Sequence, residues 1–330
     1  MGSGSMCERR VAGALLVGLV TWLAACGLEM EAPPDTTSSF MLPSPESGHV
    51  RWNNDPTTSF SPDGAFLAHL VFQDDGTRQM HLWDMATRDR RPVSGTVGGD
   101  TAFFSPDGQW LGFFADGRLK KVPVGGGEAT ALTPEAMNLR GASWGPSGTI
   151  VFNLTDTDVL YEVSVEGGEP QQLTELAEGE LSHRWPQFLP DGSAVLFTIS
   201  VSNDPQDSQI AALQLDTGEK KILVRGGTFG RYAATGQTRG QLVYHRERAI
   251  LAVGFDPATL DVMGVPTVVQ EGVLGSPPDT LTGVAQFTFS NTGTLAYVAP
   301  EQVGGDATIY RISIVPDWFE EIKQRVAAGP

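Results

Sequence analysis

The chain has 330 residues, 40% of them hydrophobic, with 39 Gly and 22 Pro, so it can bury a large core but must turn often, as an all-β globular domain does. Its 22 basic and 39 acidic residues leave a formal net charge of -17. That balance excludes a sequence-independent grip on nucleic-acid phosphates, and it repels an anionic membrane surface unless something covalent holds the protein there.

The first predicted element is a leader. Arg9 and Arg10 precede a mostly apolar, uncharged stretch from Val11 to Leu23, which is too short to span a bilayer comfortably and reads as a secretory signal. The tetrad Leu23, Ala24, Ala25, Cys26 that follows resembles the bacterial lipobox. The resemblance implies cleavage after Ala25 and diacylglycerol on the Cys26 thiol. The competing reading is a soluble secreted protein whose Cys26 merely lies near an ordinary cleavage site. Cysteine usage favours the lipid: Cys7 and Cys26 are the only cysteines, Cys7 leaves with the leader, and acylation removes a lone thiol from an oxidising compartment. Several acyl chains, at roughly 0.8 kcal/mol per buried methylene, make the anchor almost permanent. Gly27 after the cysteine, rather than Asp, implies sorting to the outer membrane. Residues 27–46 are rich in Pro, Ser, Thr and acid, without period. They read as a flexible tether with an end-to-end distance of roughly 25 Å.

From residue 47 to 315 the chain repeats. "SFSPDG" ends at Gly64, "FFSPDG" at Gly108, "SWGPSG" at Gly148 and "QFLPDG" at Gly192, with further copies ending at Gly236 and Gly293. In Ser-Pro-Asp-Gly the proline presets φ, the Asp bonds its own backbone and the Gly accepts positive φ. The turn is therefore a strut between strands. The alternative, a cation bound by a ring of Asp63, Asp107 and Asp191, is disfavoured because the other copies carry Ser147, Thr235 and Thr292. After each turn comes an apolar strand, then an alternating strand such as "LYEVSV", then a hairpin such as "VEGGEPQQL", with Glu128, Glu169 and Glu219 in register. With the strand that enters the turn, each unit has four. Repeats of this period and content are those of β-propellers.

"FSPDG", "LYEVSV" and "GGEPQQLT" together resemble the TolB-like, WD-repeat-like propeller repeats of bacterial periplasmic proteins. The fifth unit, "GRYAATGQTRGQLVYHRERAILAVGFDPATLDV", resembles propellers fused behind bacterial serine/threonine kinases, although no kinase domain is present here. The resemblance implies a six-bladed, all-β propeller of four-stranded antiparallel blades. The sixth unit lacks a strand, and the segment "GHVRWN" ahead of Ser59 is expected to supply it, which would close the ring. Residues 316–330 predict a short amphipathic helix, with Asp317 and Glu320 as a capping box and Trp318, Phe319, Ile322 and Val326 on one face. Its expected role is to dock on the propeller, with partner binding as the alternative.

Chemistry is sparse. No α/β-hydrolase domain with a G-x-S-x-G elbow is read after the propeller repeats, the five histidines show no metal-ligand spacing, and Gly125 to Gly127 read as a hairpin rather than a phosphate loop. Propeller ligands usually meet the loops leading into the innermost strands. Counting eight residues back from the turn glycine gives Arg140 and Arg184, with His183, Trp185, Trp144, Arg231 and Tyr232 nearby. Two guanidiniums beside indole rings suit a carboxylate, a peptide terminus or a sugar acid. The competing reading has the arginines salt-bridged to local acids and the tryptophans filling space between blades. The expected function is a non-catalytic periplasmic binding module for a protein or peptide, monomeric, lipid-anchored, without cofactor or metal. The alternatives are a channel-mouth hydrolase or lyase acting on a small metabolite or glycan, and an assembly scaffold.

Overall fold

β-Branched and aromatic runs bounded by Pro-Asp-Gly turns pack best as short paired strands, and the apolar runs after the turn glycines form the second strand of each of six antiparallel sheets. The computed structural model describes residues 39–45, 48–51, 54–134, 140–155, 158–276, 282–302 and 308–328. The leader, Cys26 and the tether through residue 38 lie outside the described residues, as do Trp52 and Asn53. The six sheets, each four-stranded, are the blades of a propeller. Blade 1 comprises Thr58–Phe60, Phe66–Phe72, Arg78–Asp84 and Arg90–Pro92, from the axis outward. The other innermost strands are Asp100–Phe104, Ala142–Trp144, Ser182–Phe188, Thr228–Ala233 and Phe287–Phe289.

The repeated turn is the strut that its chemistry predicts. Asp63 Oδ1 accepts the Ser61 hydroxyl at 2.6 Å and the Ala65 N–H at 3.0 Å. Asp107 does the same with Ser105 at 2.5 Å and Gln109 at 3.0 Å. Gly64 and Gly108 take φ of 74° and 70°, which an L side chain rarely tolerates. The fifth unit departs: Gly236 is not among the positive-φ glycines, and the next strand starts only at Gly240.

Between blades the sheets are joined by apolar side chains. Leu70, Met80 and Leu82 of blade 1 pack on Leu111 and Phe113 of blade 2, and Val151 and Leu160 of blade 3 on Val195 and Phe197 of blade 4. Each such residue contributes about 1.5–3 kcal/mol on full burial.

Ring closure differs from the sequence expectation. Blade 6 runs Phe287–Phe289, Leu295–Gln302, Thr308–Val315, and its fourth strand is Phe40–Met41, with Phe40 opposite Ile314 and Met41 opposite Ser313. The closing strand thus comes from the end of the expected tether and not from "GHVRWN". Of that later segment, His49 instead bridges Phe72 of blade 1. Two residues are too few to show a period among Pro and Ser neighbours, but Leu42 just beyond them is buried against Phe60, Leu67 and Ile312 and secures the seam.

The C-terminal helix, Trp318–Ala328, docks as its pattern predicts. Trp318, Phe319 and Ile322 are buried among Ile250 and Val269 of blade 5 and Leu295 and Val315 of blade 6, with Val326 alongside. Its start is not a side-chain capping box: Asp317 takes φ of 54° and its carbonyl accepts the Glu320 N–H at 3.0 Å. Among the described residues no helix is long and apolar enough to cross a membrane.

Two outcomes follow. Trp318→Ala will cost about 3–5 kcal/mol in urea unfolding, the range for truncating a fully buried Trp. The hydroxyl and N–H bonds lower the Asp63 and Asp107 pKa values from 3.8. Their stabilisation is therefore complete above 3.8 and lost as pH falls through the depressed folded values. Asp107→Asn, compared with wild type by unfolding at neutral pH and in that acid window, will show a smaller acid-induced loss than wild type.

Candidate functional site

The innermost strands reach the axis with a kink at one repeat position, seven residues before the turn glycine. There Thr101, Trp185 and Phe229 hold positive φ of 50°, 56° and 58°, beside register shifts in three inner strands, and Gly141 holds 88°. Such bulges re-aim side chains. A Cβ on Gly141 would stand 2.8 Å from the Trp185 ring, so only glycine fits there. The residues two places on, Phe103, Ser143, Gln187 and Arg231, line a central cavity of about 390 Å³, with Ser59 and Thr288 at the matching places in blades 1 and 6.

Three of these side chains join one blade to the next. Ser143 Oγ accepts the Phe188 N–H at 3.0 Å, Gln187 Oε1 the Tyr232 N–H at 2.7 Å, and Thr288 Oγ1 the Phe60 N–H at 3.4 Å. Blades 2 and 5 differ, because neither the Phe103 ring nor the Arg231 guanidinium has an acceptor to offer, and only Arg231 puts a charge there. Arg231 is the only charged residue on the described cavity wall. It is held by the carbonyls of Trp185 and Gly230, each at 2.9 Å, and its guanidinium lies 3.8 Å over the Phe229 ring. Burial lowers its pKa to about 9, leaving it a cation at neutral pH. Around it the wall is aromatic, with Phe103, Trp144, Phe188, Tyr232 and Phe289, and it extends to the prolines of the repeated turns, Pro62, Pro106, Pro146 and Pro190.

Of the seven residues singled out in the sequence, the cavity wall brings together Trp144, Arg231 and Tyr232. The other four are committed elsewhere. Arg140 pairs with Asp55 of the segment leading into blade 1, 3.7 Å away. Arg184 Nη1 and Trp185 Nε1 both donate to the Thr282 carbonyl at 3.1 Å. The Thr282 hydroxyl donates to the Asn54 carbonyl at 3.3 Å, and the Trp185 N–H to the Arg140 carbonyl at 2.8 Å. These contacts form a circuit through blades 3, 4, 6 and 1 at the leading end of the inner strands, where the sequence placed a ligand clamp. His183 is fully buried, with Nδ1 at 2.8 Å from Thr174 and Nε2 at 3.0 Å from Glu180, which also takes Lys220 at 2.6 Å. Desolvation lowers its pKa against the opposing pull of Glu180, and it serves packing between blades.

Counting eight residues back from the turn glycine reaches the leading end of the inner strands, whereas the residues lining the cavity stand five before it, beyond the bulge. That column, Ser59, Phe103, Ser143, Gln187, Arg231 and Thr288, is visible in the sequence once the bulge is known. Among the described residues no group of three or more His, Cys, Asp or Glu is gathered for a metal ion.

Because Arg140 and Asp55 form a largely buried pair, Asp55→Ala or Arg140→Ala will cost about 2 kcal/mol in urea unfolding, between the ranges for exposed and buried pairs. The double variant will cost less than the sum.

No protein-family model matches the chain, and no curated protein matches it. Among solved structures, 64% of the chain superposes on TolB from Acinetobacter baumannii with a TM-score of 0.50 and 17% identity, and it spans 55% of that chain's length. An oligogalacturonate lyase in complex with manganese aligns with 86% of this chain and 98% of its own, at a TM-score of 0.50 and 14% identity. The oligogalacturonate lyase of Vibrio parahaemolyticus aligns with 87% and 96%, at the same TM-score and identity. At these identities the shared property is the propeller fold.

Proposed function

We propose that this protein is a non-catalytic interaction module of the bacterial cell envelope, held at the outer membrane by a lipid on Cys26, whose channel receives an anionic segment of a protein or peptide. Arg231 carries the reading. It stands where blades 3, 4 and 6 place an acceptor for their neighbour, and a charge set on the described wall of an otherwise uncharged cavity is expected to serve a site rather than the fold. A desolvated guanidinium on an aromatic wall suits a carboxylate at a peptide terminus or on an acidic side chain, and the ring pins the guanidinium in place. The TolB neighbour fits a periplasmic role of this kind, as a likeness of fold.

The second reading, a hydrolase or lyase acting on a glycan, is favoured by the lyase neighbours, which align over nearly their whole length. It requires proton-transfer groups at the substrate; on the described cavity wall Tyr232 is the one such group beside Arg231, with Ser, Thr, Gln, Asn and Trp144 as the other polar side chains and no His, Asp, Glu or Lys.

The test is affinity capture from native envelopes with the acylated wild type and with Arg231→Met, followed by titration of the captured partner's binding segment. Loss of one charge-assisted hydrogen bond, about 1.5–3 kcal/mol, predicts about 10- to 100-fold weaker binding. Equal capture by both proteins, or turnover of oligogalacturonate by the wild type, would overturn the proposal. Cys26→Ala will abolish incorporation of labelled fatty acid, and a retained label would remove the anchor.

A further inference from the structure

The channel is closed at one end. At the leading end of the inner strands Arg140 of blade 3 pairs with Asp55 of the segment entering blade 1, and Arg184 and Trp185 of blade 4 donate to Thr282 of the segment entering blade 6. In a ring of six blades each of these pairs skips a blade, so the contacts cross the channel instead of following its wall. The bonds from the Trp185 N–H to the Arg140 carbonyl and from the Thr282 hydroxyl to the Asn54 carbonyl join the two crossings into a floor. None of these residues lines the cavity, whereas their neighbours Pro56, Gly141 and Pro186 do, and Trp185 is fully buried.

The other end is open, rimmed by the exposed Pro106, Pro146 and Pro190 of the repeated turns and by Asn291. Between rim and floor, the position four residues before the turn glycine is aromatic in all six blades: Phe60, Phe104, Trp144, Phe188, Tyr232 and Phe289, each on the cavity wall. The one charge on the described wall lies toward the floor. Arg231 stands five before its glycine, but its guanidinium reaches back to the Trp185 carbonyl and the Phe229 ring, both seven before theirs. The protein bonds are made by Nη1. Nε and Nη2 have no partner among the described residues and are not buried, so they meet the cavity side by side.

A pocket with its charge near a closed floor selects the end of a chain. An acidic side chain stands only a few bonds from a backbone that must both enter and leave through the mouth, whereas a terminal carboxylate leads its chain in. Two adjacent N–H groups of a guanidinium match the two oxygens of a carboxylate. The cavity, about 390 Å³, lies within the range of ligand pockets, about 300–1,000 Å³.

We propose that the channel is a blind socket for the free C-terminus of a partner chain, which enters past the repeated turns, sets its carboxylate on Nε and Nη2 of Arg231 and lays its last side chains against the aromatic tier. This rests on the channel being the binding site, as proposed above, and adds which end of the partner enters and at which face.

The experiment exposes the immobilised full chain to a pool of N-acetylated random pentapeptides made in two forms, with a C-terminal acid and with a C-terminal amide, and identifies the retained peptides by mass spectrometry. Wild type will enrich the acids, with apolar or aromatic residues next to the carboxylate, at least roughly tenfold over the amides. That comparison needs no variant. Arg231→Met will lose the enrichment. Asn291→Trp, which sets a large ring on the open rim, will also weaken it, whereas Val97→Trp, on the exposed loop leading into blade 2 at the closed end, will leave it unchanged. Enrichment of peptides with internal Asp or Glu in both forms, lost in Arg231→Met, would overturn the C-terminal assignment and leave the channel as an anion site. Unchanged retention by Asn291→Trp, or a loss in Val97→Trp, would overturn the route. No retention of either form, or retention indifferent to Arg231→Met, would overturn the socket and the channel site together.

Discussion

Strands of three residues, such as Thr58–Phe60, Ala142–Trp144 and Phe287–Phe289, cannot stand by themselves, and the molecule depends on each being held by its neighbours. One edge is covered by the second strand of its own blade. Across the gap to the next blade, Ser143, Gln187 and Thr288 hand an acceptor to the following inner strand. Because every blade leans on another, the ring has no stable open form until the two ends of the chain meet. Two residues, Phe40 and Met41, complete the last sheet, and the apolar cluster of Leu42, Phe60, Leu67 and Ile312 secures them. Closure therefore rests less on the ladder than on the side chains pressed behind it.

The same constraint creates the channel and its character. The left-handed residues Thr101, Trp185 and Phe229 bend the inner strands so that one column of side chains faces the axis. Where that column carries acceptors it joins blades, and where it carries Arg231 it leaves a cation in an aromatic cavity. The circuit of Arg140, Asp55, Asn54, Thr282, Arg184 and Trp185 at the other end of the inner strands is a brace across four blades. Charge on a propeller mouth is thus put to structural use in one place and left available in another, a few residues away along the same strand.

The seam between blades 6 and 1 is where an interface of this kind departs from dense apolar packing. A phenylalanine position is occupied by His69, buried beside His81. The seam is also the junction made by the chain terminus rather than by consecutive blades, so its geometry is relieved of the repeat that sets the others.

The sequence by itself determined the number and order of blades, the turn chemistry and the helix face. Each of these is local: Ser-Pro-Asp-Gly satisfies its bonds within six residues, and the spacing of Trp318, Phe319 and Ile322 reads directly as one stripe. Only the tertiary structure decided which two residues close the ring, which of the seven indexed residues reach the channel, and what surrounds His69. The closing strand is too short to carry a period, the bulges change which side of a strand faces the axis, and the partners of Arg140, Arg184 and His69 come from other blades. Pairing between distant segments depends on how the ring closes in space, and residue spacing along one chain does not encode that distance.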